Sequence, residues 1–138
     1  YALPIEKTAE ALRKLKQLID DHGFKAHHPV EVRFTAADEA WLSPTHGRPS
    51  CYIGIIMYRP FGRVVPYEEY FKQVDKLFFK MGGRPHWGKI HYRSAEDFAS
   101  LYPRWHDFLT IRQEVDPQGM FLNRYLEQVF GIGEFVSE

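Results

Sequence analysis

The stretch Cys51-Tyr52-Ile53-Gly54-Ile55-Ile56-Met57-Tyr58 constrains this chain's fold more than any other. It is an apolar run rich in β-formers, with no polar face to turn toward water. A membrane span needs roughly 18 apolar residues; this run is far shorter and contains Gly54. It reads as a strand, either buried on both faces or lining a site. Arg59-Pro60-Phe61-Gly62 ends it. Such a strand needs a core, and the composition supplies one. The 138 residues are 44% hydrophobic, with 11 Phe, 8 Tyr and 3 Trp. The length fits one domain. So many aromatics exclude a disordered chain.

The flanking segments have their own periods. Thr8 reads as the cap of a helix with Ala9, Leu12, Leu15, Leu18 and Ile19 at helical spacing, stopped by Gly23. Pro29 to Thr35 alternates, which predicts a strand with Val30, Val32 and Phe34 on one face and Glu31, Arg33 and Thr35 on the other. In so aromatic a domain, few strands are expected to be fully exposed. Ala36 to Ser50 reads as a connection. Pro66 opens a second helix with Tyr67, Tyr70, Phe71, Val74, Leu77 and Phe78 as its stripe, stopped by Gly82-Gly83. Ser94, followed by Glu96 and Asp97, caps a third. Pro103 interrupts it, and helix resumes through Trp105 to about Glu114. Asp116-Pro117-Gln118-Gly119 is a turn, and a last short helix covers Leu122 to Val129. Further short strands are expected around Lys89 to Tyr92 or elsewhere. Without regular βαβ alternation, this order predicts an α+β fold, mainly an antiparallel sheet covered by helices.

Charge and cysteine narrow the chemistry. Lys plus Arg equals Asp plus Glu at 18 each, so no net positive charge exists to displace counterions from nucleic acid. The lone Cys51 excludes an internal disulfide framework or a multi-cysteine zinc site, and fits a reducing compartment. None of the seven histidines forms an H-x-x-x-H or HExxH pair, so no metal is expected. No G-x-S-x-G or G-x-G-x-x-G occurs. Gly83 to Lys89 approaches a P-loop, but Ile90 stands where magnesium needs Ser or Thr. No signal peptide opens the chain, and Tyr1 in place of Met predicts numbering that begins inside a longer gene.

Two segments carry candidate chemistry. Gly82-Gly83-Arg84-Pro85-His86-Trp87-Gly88-Lys89-Ile90-His91 crowds two His, a Lys, an Arg and a Trp between two helices, on glycines that permit close backbone approach. It reads equally as a polar connection with Trp87 tucked into the core. Glu31-x-Arg33 puts two opposite charges on one strand face. They pair with each other, point jointly at a ligand, or belong to a solvated face.

Five segments, in order, carry a resemblance. They are Pro29-Val30-Glu31-Val32-Arg33-Phe34, Leu42-Ser43-Pro44, Met57-Tyr58-Arg59-Pro60, Gly82 to Lys89, and Asp116-Pro117-Gln118-Gly119-Met120-Phe121-Leu122-Asn123. From about Pro29 to Phe130 the chain resembles the C-terminal catalytic region of the sugar-1,4-lactone oxidases. These are aldonolactone oxidases of the vanillyl-alcohol-oxidase flavoprotein class, and alditol oxidase and galactonolactone dehydrogenase are relatives. H-W-x-K (His86 to Lys89) is specific in company with D-P-x-G-x-F-x-N. The resemblance implies that residues 1–138 are a substrate-binding cap domain, partnered by an N-terminal FAD-binding domain that this chain lacks. It implies oxidation of an aldonolactone such as L-gulono-1,4-lactone to an ascorbate-type product, with O2 yielding H2O2. It also implies roles. Lys89 is the signature cation near the flavin, Arg33 lies by flavin and substrate hydroxyl, Glu31 accepts substrate hydrogen bonds, and His86 contacts the cofactor. Relatives carry polar side chains on the pocket-wall strand, where this chain has Gly54, Ile55 and Ile56. A non-catalytic interaction module derived from such a cap, or a dehydrogenase or alditol oxidase, are the rival readings. A cytoplasmic chain without a membrane span is expected, although some family members sit on membranes.

Overall fold

The apolar run becomes the middle strand of a three-stranded antiparallel sheet in the computed structural model, which describes residues 1–133. Residues 134–138 of the expected domain lie outside the described residues. The strands are β1 (Ala2–Pro4), β2 (Glu31–Thr35) and β3 (Ser50–Gly54), in the spatial order β1-β3-β2. β3 ends at Gly54, short of Tyr58, because Gly54 already pairs with the first residue of β2, Glu31. Ile55 to Tyr58 leave the sheet as irregular chain. The stretch from Lys89 to Tyr92 holds no strand. The short strand lies at β1 instead, and Ala2 makes an isolated bridge to Arg84.

The described residues hold five α-helices, the first four ending near the expected stops. They are α1 (Thr8–His22), α2 (Glu68–Lys80), α3 (Ala95–Leu101), α4 (Trp105–Val115) and α5 (Arg124–Phe130). Thr8 is the first helical residue rather than the cap, and its hydroxyl donates to Ile5 O at 2.6 Å within the preceding 3-10 turn. Ser94 caps α3 in a reciprocal box with Asp97, and Asn123 Oδ1 caps α5 by accepting from Leu126 N at 2.9 Å. Gly23 takes the left-handed conformation that ends α1.

Burial divides into two clusters. In the first, Leu3, Cys51 and Ile53 of the sheet pack on Ala11 and Leu15 of α1 and on Tyr70, Val74 and Phe78 of α2. In the second, Phe98, Tyr102, Trp105 and Val129 join α3, α4 and α5, with Trp87 packed against them. Aromatics supply both clusters, and Trp87, Phe98, Tyr102 and Trp105 form a stacked group in the second. β2 contradicts the expectation of few exposed strands. All five of its residues are exposed, Val32 at 36% and Phe34 at 64%. The helices cover β1 and β3, and β2 lies beyond them as an edge.

The stop after α2 is a close packing joint. Gly83 N donates to Phe78 O at 2.8 Å, and a Cβ on Gly83 would stand 2.7 Å from that same oxygen. No side chain can relieve that clash, since the obstacle is backbone. Gly83→Ala is expected to destabilise the domain by about 1–3 kcal/mol, the scale of overpacking. Thermal melting followed by circular dichroism measures this, and an unchanged midpoint contradicts it.

Candidate functional site

The turn after α2 delivers the motif segment, and several anchors fix it. Arg84 is buried; its Nε donates to Leu101 O at 2.9 Å and its Nη1 to His46 O at 2.8 Å. Trp87 stacks on Phe98 with ring centroids 4.8 Å apart and on Tyr102 at 5.4 Å, and its Nε1 donates to Leu42 O at 2.8 Å. The core reading of Trp87 is therefore realised. The anchored Trp87 leaves His86 and Lys89 exposed on either side of it.

Within the loop the bonds are directional. Gly88 N donates to His86 Nδ1 at 3.0 Å, so a neutral His86 carries its proton on Nε2 and presents a donor outward. Lys89 N donates to His86 O at 3.0 Å, closing a tight turn that aims the lysine. Behind it, Arg93 N approaches His91 Nδ1 at 3.4 Å, which places the neutral imidazole's proton on Nε2. That nitrogen meets Tyr125 Oη at 2.8 Å, and Tyr125 Oη donates to Trp87 O at 2.8 Å. A relay from backbone to histidine to tyrosine to backbone thereby clamps α5 onto the loop.

Glu31 and Arg33 project from alternate positions of β2 onto one face, and their ion pair measures 2.9 Å from Arg33 Nη2 to Glu31 Oε2. Their side chains remain 45% and 75% exposed, so the pair is worth roughly 0–1 kcal/mol and a ligand can replace it at small cost. All four sequence candidates, Glu31, Arg33, His86 and Lys89, line one pocket of about 510 Å³. Ile53 to Met57 form a contiguous wall and Phe71 and Val74 of α2 join them. The run read as buried or site-lining is both, in sequence: β3 is mostly buried, and the chain beyond it lines the pocket.

Tyr1 also lines this pocket, and behind it sits a group that sequence reasoning missed. Asp75 is fully buried; it accepts from the Tyr1 hydroxyl, from Tyr92 N at 3.2 Å, and from the guanidinium of Arg93. One carboxylate thus ties the pocket floor, α2 and the far end of the motif loop together. The available signal was its position: Phe71, Asp75 and Phe78 share one helical face, and an acid within an apolar stripe is a buried acid with partners. Among the described residues, no group of three or more His, Cys, Asp or Glu is placed to hold a metal ion. No helix among them is long and apolar enough to cross a membrane.

This α+β domain gathers two cations, a carboxylate and an imidazole around an apolar-walled cleft, a lining of the kind that suits a small molecule. The chain belongs to the D-arabinono-1,4-lactone oxidase family, whose model matches residues 1–129. It is 51% identical over 131 residues to an L-gulonolactone oxidase from Mus musculus, and the match covers 94% of this chain and 30% of that protein. An L-gulonolactone oxidase from Scyliorhinus torazame is 50% identical over 131 residues, covering 94% of this chain and 30% of that protein. An L-gulono-1,4-lactone dehydrogenase from Mycobacterium tuberculosis is 38% identical over 131 residues, covering 95% of this chain and 30% of that protein. The chain therefore spans about 30% of the length of the curated relatives it matches.

The His91 clamp is pH-dependent. Burial, the leading cause, pulls the imidazole below its ordinary 6.5; Arg93 adds to this and Asp75 opposes it. The unfolded chain takes up a proton near 6.5 while the folded chain resists, so stability falls as pH drops below that value. We expect the melting midpoint to fall between pH 7 and pH 5, and His91→Gln to flatten that slope. An identical slope in the variant excludes His91 as its source.

Proposed function

We propose that this chain is the substrate-binding and catalytic cap of a flavin-dependent sugar-1,4-lactone oxidase. The observation that carries the reading is the convergence of Glu31, Arg33, His86 and Lys89 on one pocket with apolar walls. Two of the four come from an edge strand and two from a distant loop. The family's flavin dependence and the gulonolactone oxidase names of relatives at 50–51% identity support it. The cofactor of this reading is FAD, held mostly by an N-terminal domain of the full-length protein. The donor set fits such a group: Ile55, Met57 and Phe71 offer an apolar surface, and the Lys89 ammonium and the outward His86 Nε2–H suit a rim of carbonyl and ring-nitrogen acceptors. When bound, FAD supplies the acceptor for the hydride leaving the substrate carbinol carbon, and O2 then takes the electron pair as H2O2.

The chain's own residues do the rest. Arg33 spends one N–H on Glu31 and keeps a forked cation open to the substrate hydroxyl, favouring its alkoxide character as the C–H bond breaks. A guanidinium stays protonated and so cannot be the base. Glu31 accepts hydrogen bonds from substrate hydroxyls and orients Arg33. Lys89 places a fixed positive charge where negative charge builds on the acceptor, a stabilisation present before the reaction begins. His86 donates to the cofactor edge. Trp87 packs and takes no chemical part. The substrate is an aldonolactone, L-gulono-1,4-lactone in the first instance. O2 rather than an electron carrier is the acceptor, following the oxidase names at 50–51% identity over the dehydrogenase name at 38%.

In the full-length protein, Lys89→Met is expected to slow flavin bleaching by lactone about 10²–10³-fold, the scale for losing one preorganised electrostatic group. Rapid-mixing absorbance reads it, and a wild-type rate removes Lys89 from its role. A full-length protein that, with FAD present, neither releases peroxide nor reduces an electron-accepting dye with any aldonolactone points to an interaction module instead. Titrated alone with FAD, the 138-residue chain is expected to show no saturable fluorescence change; tight binding would place the main cofactor contacts in this domain.

A further inference from the structure

Gly54 sits in the pocket wall, paired in register with Glu31. Glycines in this chain are mostly explained by their backbone: those at 23, 47, 62, 82, 119, 131 and 133 hold positive φ, and Gly83 has no room for a Cβ. Gly54 has neither excuse. It is absent from the positive-φ set, and a Cβ there would meet Glu31 Cβ at 3.4 Å and Glu31 Oε2 at 3.8 Å, which is ordinary contact. A strand glycine is disfavoured relative to alanine because more backbone entropy is lost and no side chain packs. Such a glycine serves either a bend where a strand ends or space for something that approaches the backbone closely, and the place of Gly54 in the pocket wall favours the second use. The space adjoins a carboxylate oxygen, while Ile53 and Ile55 on either side offer no hydrogen bond.

We propose that Gly54 is a specificity-determining residue. Its missing side chain leaves a notch beside the Glu31 carboxylate that receives the exocyclic, hydroxylated carbon arm of the lactone. The inference rests on the lactone-oxidase reading and adds which part of the substrate the wall measures. The arm suits the notch on two counts. Its hydroxyls need an acceptor, which Glu31 provides, and its carbons need close approach, which a side chain at residue 54 would deny. The reacting ring carbon belongs instead near Arg33 and Lys89, where the cations are.

The test uses full-length protein loaded with FAD and two substrates. L-Gulono-1,4-lactone carries a two-carbon arm; D-lyxono-1,4-lactone has the same ring configuration and lacks one exocyclic CHOH. Gly54→Ala and Gly54→Val are compared with wild type by kcat/KM on both. A methylene-sized obstruction in a fitted pocket is worth roughly 10- to 200-fold in selectivity. The six-carbon to five-carbon ratio is therefore expected to fall at least about tenfold in Gly54→Ala and further in Gly54→Val, chiefly through KM for the longer lactone. The melting midpoint of Gly54→Ala is expected to hold or rise, which separates this from a folding defect. An unchanged ratio, or equal loss on both lactones, overturns the proposal while leaving the oxidase reading standing. A wild type that oxidises neither lactone overturns the oxidase reading and this inference with it.

Discussion

The position of the site depends on a buried guanidinium. Arg84 pairs its backbone with Ala2 in both directions, at 2.8 and 2.9 Å, which joins the turn after α2 to the sheet. Its side chain then crosses to the second cluster, donating to Leu101 O and His46 O and lying over the Tyr102 ring at 4.9 Å. A buried cation without partners would cost more than the domain's whole margin of stability. Here three backbone carbonyls, Pro44 O at 3.3 Å included, and an aromatic face compensate it. Burial still pulls its pKa down from the guanidinium value. Arg48 lies alongside, drawn down to about 10 by burial and by the charge of Arg84, and donates to Gly82 O at 2.6 Å. Two like charges are thus held together by carbonyls that irregular chain leaves free. The motif loop starts from that fixed point.

From there the site divides into a stiff half and a yielding half. His86 and Lys89 ride on a loop clamped by Arg84, Trp87, Tyr125 and Asp75, so their backbone has little freedom. Glu31 and Arg33 ride on an exposed edge and hold each other by a weak pair. This division suits the proposed chemistry. A cation that stabilises developing charge works best preorganised, because reorientation during the reaction would use up its advantage. A carboxylate and guanidinium that must first meet each other and then a polyol should be easy to separate. Phe121, held out at 83% exposure by a turn whose Asp116 carboxylate accepts from Met120 N and Phe121 N, and Phe34 on β2 leave apolar surface uncovered. In the proposed reading, the remainder of the full-length protein has that surface to pack on.

The legible part of this fold was its punctuation. Gly23, Gly82-Gly83, Ser94, Pro103 and the alternation from Glu31 to Thr35 act through local sterics and hydrogen bonds, so each marks its own boundary. Thr8 shows the limit of that grammar: a preceding 3-10 turn consumes its hydroxyl. β1 was illegible because three residues carry no period, and its pairing with β3 is a long-range choice. The exposure of β2 was illegible for the same reason. Alternation says which side chains share a face, and only the helix layer decides whether that face is covered. Each half of the site was visible as a candidate, and its motif context tied the halves to one chemistry. Their meeting required the β2–β3 register and the Ala2–Arg84 bridge, neither of which any local signal encodes.

The place where β3 ends then explains why a pocket exists at all. Within the ladder, Glu31 and Arg33 are fixed in spacing by the pleat and in height by their partners Gly54 and Tyr52. A continuous sheet there would have filled the neighbouring space with a further strand-length of side chains. Pairing stops at the first residue of β2, so Ile55 to Met57 leave the ladder and line the pocket. The ordered end of the sheet supplies precision to the charged pair. The unpaired continuation supplies volume and an apolar lining beside it. The motif loop, pinned to β1 through Arg84, closes the third side. Continuing β2 toward its N-terminus in this register would set Val30 and Pro29 opposite Ile55 and Ile56, and Pro29 has no N–H to give the ladder. The length of one edge strand is therefore as much a determinant of the site as the four side chains that line it.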